Sequence, residues 1–377
     1  MNSPSNVQVS SVLVKPVSAD CNLACKYCFY SPKAALYAEN GQRRMSDRVL
    51  RELVSQLMSL NPERVSFCWQ GGEPTLAGLD FFRQAVELQG LLRAPGQIVE
   101  NSLQTNGVLI DEEWAEFLSL HRFLVGMSLD GPAELHDYYR KDHNGGFSYE
   151  RVMRGIGWLR RYNVDFNILV LLNDRNIRRP RELYRFFLSQ GFRYLQFIPC
   201  AERDPETGGV APYSVTPEQY GRFLCEVFDE WAGKEVPTVY VREFEDLLIS
   251  YVTGEAASCV FGRDCGKYVV VEKNGDVYPC DFFVEPERLL GNITEHPIEE
   301  IVENPEFAKF CAQKRQLAAK CKGCLWLSHC NGGCPKHWVQ LRLNHNYFCE
   351  SYRMLFEHAD RRLFELKAYV EQKVTKS

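Results

Sequence analysis

The alternation of apolar strands with amphipathic helices over residues 11–200 limits the fold of this 377-residue chain more than any other feature. Short apolar runs typical of buried strands are separated by stretches in which apolar residues recur at helical spacing. Six strands are predicted, at residues 12–15, 64–69, 98–103, 123–128, 166–172 and 195–198. Five helices are predicted near residues 46–60, 80–92, 111–121, 148–162 and 180–190, with Ser46 and Asp111 as N-caps. Because strands joined by crossover helices form parallel sheets, the pattern predicts an α/β fold, most simply a partial six-stranded barrel.

Polar, mostly glycine-containing segments follow the predicted strands. They are Gln70-Gly-Gly-Glu-Pro74, Gln104-Thr-Asn-Gly107, Ser128-Leu-Asp-Gly131 and Pro199-Cys-Ala201. Each segment taken alone is typical of a turn. The carboxyl ends of parallel strands meet at one edge of a sheet, where such folds carry their chemistry. The convergence of these segments therefore predicts one active site.

A cysteine-rich loop follows the first predicted strand. Cys21, Cys25 and Cys28 have the spacing C-x3-C-x2-C. Cubane iron–sulfur clusters are usually held by four cysteines, so three thiolates leave one iron open to a small molecule. Zinc prefers a closed site with four protein ligands, and no fourth ligand lies nearby in the sequence. The spacing favours an iron–sulfur cluster over zinc.

Eight further cysteines in the C-terminal half form a second pattern. They are Cys259, Cys265, Cys280, Cys321, Cys324, Cys330, Cys334 and Cys349. Eight thiolates are enough for two four-cysteine clusters, but by themselves they fit one or two zinc sites equally well. The N-terminal pattern favours iron–sulfur clusters here too. The remaining cysteines, Cys68, Cys200, Cys225 and Cys311, are interpreted as small buried hydrophobes.

Composition and charge narrow the class of protein. Fifteen cysteines in a chain without an apolar N-terminal segment favour metal binding over disulfides. A net charge of −5 at pH 7 argues against a broad basic surface for nucleic acid. No apolar run approaches the ~18 residues of a membrane-spanning helix. We therefore expect a cytoplasmic protein without nucleic-acid or membrane partners.

Seven motifs together resemble those of anaerobic sulfatase-maturating enzymes, which belong to the radical SAM superfamily and carry a SPASM extension. The motifs are Cys21-Asn-Leu-Ala-Cys-Lys-Tyr-Cys-Phe-Tyr30, Trp69-Gln-Gly-Gly-Glu-Pro74, Gln104-Thr-Asn-Gly107, Ser128-Leu-Asp-Gly131, Gln196-Phe-Ile-Pro199, Tyr278-Pro-Cys-Asp-Phe-Phe283 and Asn331-Gly-Gly-Cys-Pro335. The resemblance covers residues 12 to about 353. It implies a partial (β/α)6 radical SAM barrel followed by a Cys-rich SPASM-type domain with a β-hairpin and helices.

The resemblance, taken with the sequence pattern, also implies a domain organisation. We expect the barrel at residues 1–201, a helical linker region at 202–254, the SPASM domain at 255–352 and a C-terminal helix at 353–377. Within the linker region, helices are predicted near 217–232 and 242–253. The hairpin is predicted over 268–280 with its turn at Asn274-Gly275, a sequence that favours tight turns.

The function implied by the resemblance is oxidation of a Cys or Ser side chain in a sulfatase to 3-oxoalanine (formylglycine). The target would lie in a Cys/Ser-x-Pro/Ala-x-Arg motif. The implied cofactors are three 4Fe–4S clusters, with S-adenosylmethionine (SAM) as co-substrate. The implied partners are the sulfatase polypeptide and a reductant such as flavodoxin or ferredoxin.

The resemblance assigns roles to individual residues. Cys21, Cys25 and Cys28 would hold the SAM-binding cluster; Cys259, Cys265, Cys280 and Cys334 the first auxiliary cluster; and Cys321, Cys324, Cys330 and Cys349 the second. Tyr27, Gly72, Glu73, Ser128, Arg140 and Ala201 would contact SAM, although relatives often have Leu at the position of Ala201. Asp281 would be the catalytic proton acceptor.

The residue types suit these roles. Gly71 and Gly72 lack a Cβ atom, so the backbone can approach a ligand closely. Glu73 can accept hydrogen bonds from an ammonium group, and Arg140 can pair with a carboxylate. The alternatives are a surface ion pair for these two residues, plain core packing for Tyr27, and a turn or capping role for Asp281. Since successive strand residues point to opposite faces, we expect the side chains of Cys280 and Asp281 to point apart.

Two other functions fit parts of the sequence. One is another SPASM-type radical SAM peptide-modifying enzyme, for example one that forms a thioether. Such enzymes often carry an added N-terminal domain, and little chain precedes the first predicted strand here. The other is a non-catalytic zinc or electron-transfer protein, which would not need the polar segments at the strand ends.

Overall fold

The computed structural model describes residue 9 and residues 11–40, 43–233 and 236–374. The chain forms two compact units. The first unit comprises Met1–Ser128, Arg140–Phe166 and Gly266–Cys311. The second unit comprises Leu129–Tyr139, Asn167–Cys265 and Ala312–Ser377. Both units are therefore assembled from segments that are far apart in sequence.

Strands and helices alternate through most of the described chain. The strands are β1 (Ser11–Lys15), β2 (Arg64–Trp69), β3 (Ile98–Thr105), β4 (Leu124–Ser128), β5 (Phe166–Leu172), β6 (Tyr194–Pro199), β7 (Tyr240–Val241), β8 (Val269–Glu272), β9 (Asp276–Tyr278) and β10 (Gly291–Asn292). The helices are α1 (Asp47–Leu60), α2 (Leu79–Leu92), α3 (Glu112–Leu120), α4 (Ala133–Tyr139), α5 (Tyr149–Arg161), α6 (Pro180–Ser189), α7 (Pro217–Ala232), α8 (Arg242–Thr253), α9 (Ile298–Val302), α10 (Pro305–Ala312), α11 (Leu327–Cys330), α12 (Lys336–Val339) and α13 (Cys349–Val374).

The first unit contains a sheet in the order β10-β9-β8-β1-β2-β3-β4. Strands β1 to β4 are parallel to their neighbours, and β8 pairs with β1 in parallel, with Val12 opposite Val269. Strands β8 and β9 form the antiparallel hairpin that the sequence predicts. Because β8 runs parallel to β1, the carboxyl ends of both strands lie at the same edge of the sheet. The hairpin turn lies at that edge, and β9 then runs back, so Cys280 follows β9 beside Tyr268 at the amino end of β8.

The second unit contains β5 from Asn167 onwards, the parallel strands β6 and β7, and four long helices, α6, α7, α8 and α13. Helix α13 packs against α7 and α8. Helix α7 begins with a capping box in which Thr216 and Gln219 satisfy each other's backbone N–H groups. These helices supply an apolar core that includes Phe223, Val227 and Leu363.

Local sequence signals account for the helix starts that the sequence predicts. The Ser46 hydroxyl accepts a hydrogen bond from the Val49 N–H at 3.3 Å, and Asp111 Oδ1 accepts one from the Trp114 N–H at 3.0 Å. Both predicted N-caps are therefore confirmed. Such caps satisfy backbone donors that have no partner inside the helix.

The predicted elements of residues 11–200 are confirmed, with end points that differ by one or two residues. The α/β class with a parallel sheet is confirmed as well. One boundary in the hairpin is wrong: β9 ends at Tyr278, so Cys280 and Asp281 lie beyond the strand. Helix α13 also begins at Cys349, before the predicted position 353. Among the helices of the described residues, none is long and apolar enough to cross a membrane.

Candidate active site

The cysteine loop, defined as residues 21–28, follows the carboxyl end of β1. The Leu23 N–H and the Asn106 side-chain amide point at Cys21 Sγ, at 3.4 and 3.7 Å. Burial raises the pKa of the Cys21 thiol to about 11, so a free thiol there stays protonated at neutral pH. The two N–H donors suit a thiolate once a metal displaces the proton.

A second segment of the first unit clamps the cysteine loop. The Ala24 N–H donates to the Lys141 carbonyl at 2.7 Å, and Leu23 forms a β-bridge with Asp142. The His143 Nε2–H donates to the Cys21 carbonyl at 2.9 Å. These bonds come from backbone and side chains alike, so the shape of the loop is fixed by protein contacts.

Arg140 begins this clamping segment and lies beside another predicted SAM contact. Its guanidinium carbon is 5.5 Å from the centre of the Tyr27 ring, which suits a cation–π contact. Tyr27 is buried and Arg140 is half-buried. Ser128 ends β4 and is half-buried. Ala201 is also buried and follows β6 in the second unit.

Glu73 is fully buried at the carboxyl end of β2 and accepts hydrogen bonds at both oxygens. Its Oε1 accepts from the Thr75 N–H, the Thr75 hydroxyl and the Thr105 hydroxyl at 3.0, 2.6 and 2.7 Å. Its Oε2 accepts from the Asn106 N–H at 2.7 Å, which leaves that oxygen able to accept another donor. Burial raises the pKa of Glu73, and these hydrogen bonds oppose the rise. Glu73 is therefore not part of a surface ion pair.

Asn106 is a site residue that the sequence did not single out. Its backbone N–H binds Glu73, and its side-chain amide contacts Cys21 Sγ and donates to Asn22 Oδ1 at 2.7 Å. Asn106 thus connects a predicted SAM contact to a predicted cluster ligand. The only sequence signal was its place in the polar segment after β3.

The Gly71-Gly72 pair packs against the backbone that leads into the cysteine loop. A Cβ atom on Gly72 would lie 2.0 Å from the Asp20 carbonyl oxygen. Gly71 has φ of +144°, and its added Cβ would lie 2.7 Å from the Ser18 carbonyl oxygen. The Gly72 N–H donates to that same oxygen at 2.7 Å. The glycines are required by this close packing, a reason different from the ligand approach that the sequence suggested.

Asp281 lies in a 3₁₀ turn directly after the hairpin and is 8% exposed. The Tyr268 hydroxyl is 3.1 Å from Asp281 Oδ1 and 3.3 Å from Cys280 Sγ. Cys280 Sγ and Asp281 Oδ1 are themselves 3.6 Å apart. The expectation that these two side chains point apart is therefore wrong, because the strand ends before them and strand alternation does not apply.

The turn that carries Asp281 also packs on the cysteine loop region. The Phe282 ring lies 4.9 Å from the Phe29 ring, one residue after Cys28. Next to Phe29, the Tyr30 hydroxyl donates to the buried Glu272 carboxylate at the end of β8. The first contact places the turn that carries Asp281 against Phe29, the residue that follows the cysteine loop, and the second ties the next residue to the hairpin.

Four predicted ligand cysteines line one pocket of the second unit. Cys321, Cys324, Cys330 and Cys349 surround a pocket of about 330 Å³, together with Trp326 and other apolar groups. Burial raises the pKa of Cys330 to about 12, and the thiols of Cys349, Cys321 and Cys324 are close enough to raise it further. The structure thus brings together all four members of the second predicted auxiliary set.

The other predicted auxiliary set is divided between the units. Cys259, Cys265 and Cys334 belong to the second unit, and Cys280 belongs to the first. Burial raises the pKa of Cys334 to about 11, and the nearby Cys259 thiol acts in the same direction. Cys200 and Cys311 are buried as predicted, while Cys68 and Cys225 are half-buried.

The donor chemistry of these cysteines fits iron–sulfur clusters. All fifteen cysteines are free thiols. Among the described residues, no three His, Cys, Asp or Glu side chains are gathered tightly enough to hold a single metal ion. The fit to clusters rests on the number, spacing and free state of the thiols, on the donors aimed at Cys21, and on the pocket that four thiols share.

Comparisons with known proteins agree with the resemblance found in the motifs. Residues 16–187 match the family model of the radical SAM superfamily, and residues 259–325 match the SPASM model, an iron–sulfur cluster-binding domain. The chain is 39% identical to the serine-type anaerobic sulfatase-maturating enzyme of Bacteroides thetaiotaomicron, over 92% of this chain and 88% of the relative. It is also 39% identical to the cysteine-type anaerobic sulfatase-maturating enzyme of Clostridium perfringens strain 13, over 94% of this chain and 98% of the relative.

A solved protein has a similar fold. The structures of native anSMEcpe with bound AdoMet, alone and with Cp18Cys peptide, each match with a TM-score of 0.89 and 38% identity. Each match covers 96% of this chain and 99% of the solved chain. The similarity therefore extends over both compact units.

Proposed function

Because this chain belongs to the anaerobic sulfatase-maturating enzymes of the radical SAM superfamily, we propose that it oxidises a Cys or Ser side chain of a sulfatase to 3-oxoalanine, with Asp281 as the proton acceptor. The placement of Asp281 is the observation that carries this proposal. The carboxylate follows the hairpin on a turn whose Phe282 packs on Phe29, beside the cysteine loop. A proton acceptor must lie within hydrogen-bond reach of the target, so it belongs near the group that starts the reaction.

The oxidation removes two electrons and two protons from the target side chain. When bound, the iron–sulfur clusters and SAM supply the one-electron chemistry that removes a hydrogen atom from the target Cβ. Asp281 takes the thiol or hydroxyl proton at its carboxylate, where the Tyr268 hydroxyl, 3.1 Å from Oδ1, orients it. The second electron would pass to an auxiliary cluster. A thioaldehyde formed from Cys then needs hydrolysis to give the aldehyde, whereas Ser gives the aldehyde directly.

We propose that eleven cysteines hold three 4Fe–4S clusters. Cys21, Cys25 and Cys28 would hold the cluster that binds SAM. Cys259, Cys265, Cys280 and Cys334 would hold the first auxiliary cluster, and Cys321, Cys324, Cys330 and Cys349 the second. The shared pocket of the second auxiliary set supports its grouping.

Residues around the cysteine loop would bind SAM. Arg140 would pair with its carboxylate, and Glu73 Oε2, which retains acceptor capacity, would accept from its ammonium group. Tyr27 would pack on its adenine ring. Gly72, Ser128 and Ala201 would complete the site.

The wider organisation follows from the same proposal. The radical SAM barrel would occupy residues 1–201, the helical linker region 202–254, the SPASM domain 255–352 and the C-terminal helix 353–377. The partners would be a sulfatase polypeptide and a reducing protein such as flavodoxin or ferredoxin.

A peptide assay tests the proposed reaction. Reconstituted enzyme, SAM and reductant are incubated with matched peptides that carry Cys-x-Pro-x-Arg or Ser-x-Ala-x-Arg, and with a control peptide whose target is Ala. Mass spectrometry should show an aldehyde at Cys or Ser and no change in the control. An enzyme that cleaves SAM but leaves both target peptides unchanged would instead support another SPASM-type peptide modification.

A further inference from the structure

A buried lysine binds the loop that carries two predicted ligands of the first auxiliary cluster. Lys314 lies in a 3₁₀ turn and is 1% exposed. Its Nζ donates to the carbonyl oxygens of Cys259, Val260 and Gly262 at 2.9, 2.9 and 2.5 Å. Three acceptors match the three N–H bonds of an ammonium group, whereas a neutral amine has two. The contacts therefore select the charged form of the side chain.

The neighbouring groups of this loop are also bound by side chains. The Asn331 amide donates to the Phe261 carbonyl at 2.8 Å. The Arg315 guanidinium forms two hydrogen bonds with the Asp264 carboxylate, at 2.7 and 2.9 Å. Four successive carbonyls and the carboxylate before Cys265 thus have side-chain donors. The loop is built to hold one shape.

Lys314 has no ion pair with a carboxylate among the described residues. A buried cation without a negative partner is unfavourable, because burial removes the water that stabilises its charge. Burial lowers the pKa of Lys314, and the groups that oppose this fall are the nearby cysteines Cys265, Cys334, Cys259 and Cys330. Three of these belong to the proposed first auxiliary set and one to the second. Thiolate ligands of an iron–sulfur cluster would supply the missing negative charge.

We propose that Lys314 is a positioning residue that holds the 259–265 loop and, through its charge, raises the reduction potential of the auxiliary cluster bound there. This inference rests on the proposed cluster ligands. Reduction adds one negative charge to a cluster, so a nearby buried cation favours the reduced form. Net charge and hydrogen bonding are the features by which a protein sets such potentials. Lys314 would thus make the auxiliary cluster a better electron acceptor.

The test uses the full chain with Cys21, Cys25 and Cys28 replaced by Ala, so that only auxiliary clusters contribute signals. Lys314→Met, Lys314→Gln and Lys314→Arg are compared in this background after anaerobic reconstitution. Lys309→Met is the matched control, because Lys309 is 74% exposed and pairs with Glu306 on the surface. Iron content and reduction potentials are measured, the latter by redox titration followed by electron paramagnetic resonance.

Lys314→Met should lower the electron affinity of an auxiliary cluster about tenfold, which corresponds to about 59 mV for a one-electron couple. Lys314→Gln keeps an N–H donor but has no charge, so it should shift the reduction potential in the same direction. This variant provides the measurement if Lys314→Met binds less iron. Lys314→Arg and Lys309→Met should stay near the background value.

Two results would overturn the inference in distinguishable ways. Unchanged potentials in both neutral variants, with clusters present, would show that Lys314 is only structural and leave the proposed ligands intact. A background chain that binds no iron–sulfur cluster would contradict the proposed auxiliary ligands themselves, and the role of Lys314 with them.

Discussion

The cysteine loop and the cysteine-rich segment at residues 321–349 both present thiols for iron, but they hold them by different means. The cysteine loop is tied to its neighbours by the bond from Ala24 to Lys141, the bridge from Leu23 to Asp142 and the Asn106 amide. The cysteine-rich segment consists of turns and the short helices α11 and α12, of four residues each. Helices this short are not stable alone in water.

Because of this difference, we expect the cysteine loop to matter mainly for catalysis and the cysteine-rich segment mainly for stability. The cysteine loop extends from a parallel sheet, whose strand ends fix it without metal. The cysteine-rich segment has four thiols around a pocket, and its backbone hydrogen bonds are mostly local bonds of turns and single-turn helices. We therefore expect its order to depend more on what the thiols bind. We therefore expect loss of metal from the first region to remove activity, and loss from the second to remove stability.

The largest expected effect is the loss of all activity when Cys21, Cys25 and Cys28 are replaced together by Ala. About four of roughly twelve iron atoms should be lost, since each cubane holds four. SAM cleavage and aldehyde formation should disappear, while Tm stays near that of the parent enzyme because protein contacts hold the loop. Iron analysis, mass spectrometry and calorimetry check this. A large fall in Tm would break the contrast between the two regions.

The second-largest expected effect is a fall in aldehyde formation when Asp281 is replaced by Asn. Asp281→Asn keeps the shape of the side chain and removes its basicity, so aldehyde formation should fall by ~10²–10⁴-fold. Iron content and SAM cleavage should be retained. Asp80→Asn, a change at a 96% exposed carboxylate of the same unit, is the matched control. A near-normal aldehyde yield would show that Asp281 is a turn residue and that the proton acceptor lies elsewhere.

In the cysteine-rich segment, Cys321→Ser with Cys324→Ser should reduce stability. Loss of a structural metal group is among the few changes that cost about 4 kcal/mol or more. Limited proteolysis should cut within residues 321–349 sooner than in the parent enzyme, and the unfolding midpoint should fall. Cys225→Ser on α7 makes the same chemical change outside the proposed ligands. Equal protease resistance in the double variant and this control would refute the expected dependence on metal.

The smallest predicted effect is a pH dependence of stability, which we expect from only one of two buried carboxylates. Glu73 accepts hydrogen bonds at both oxygens. In Glu243, at the start of α8, Oε1 accepts from the Phe197 N–H, but Oε2 has no hydrogen-bond partner among the described residues. Burial raises the pKa of Glu243 from 4.5 to about 8. Its raised pKa means that the folded state binds more protons than the unfolded state between these values, so stability falls as pH rises through this range.

The free energy of unfolding should fall by about 2 kcal/mol between roughly pH 6 and pH 8. Denaturant unfolding across this range should show it, and Glu243→Gln, which cannot ionise, should remove the part of the slope due to this residue. An identical slope in the variant and the parent enzyme would mean that Glu243 is not the titrating group.

Much of the fold and of the candidate site could be predicted from sequence because the signals are local. Strands β1 to β6 and the helices between them follow from apolar periodicity, and the Ser46 and Asp111 caps from single residues. Cysteine spacing marked the ligand candidates. The local signals gave a wrong result at Asp281. Strand β9 ends two residues earlier than predicted, and the side chain of Asp281 therefore lies beside that of Cys280.

By itself the sequence determined the α/β class, the family motifs and the set of thiols, since each depends on residues close together in the chain. Only the tertiary structure decided which distant groups meet. The packing of Phe282 on Phe29 brings the turn of Asp281 next to the end of the cysteine loop, and Asn106 joins Glu73 to Cys21. Lys314 donates hydrogen bonds to carbonyls more than fifty positions away. No local pattern encodes such contacts, because a buried polar group is stabilised by whichever partner the fold places within hydrogen-bond reach.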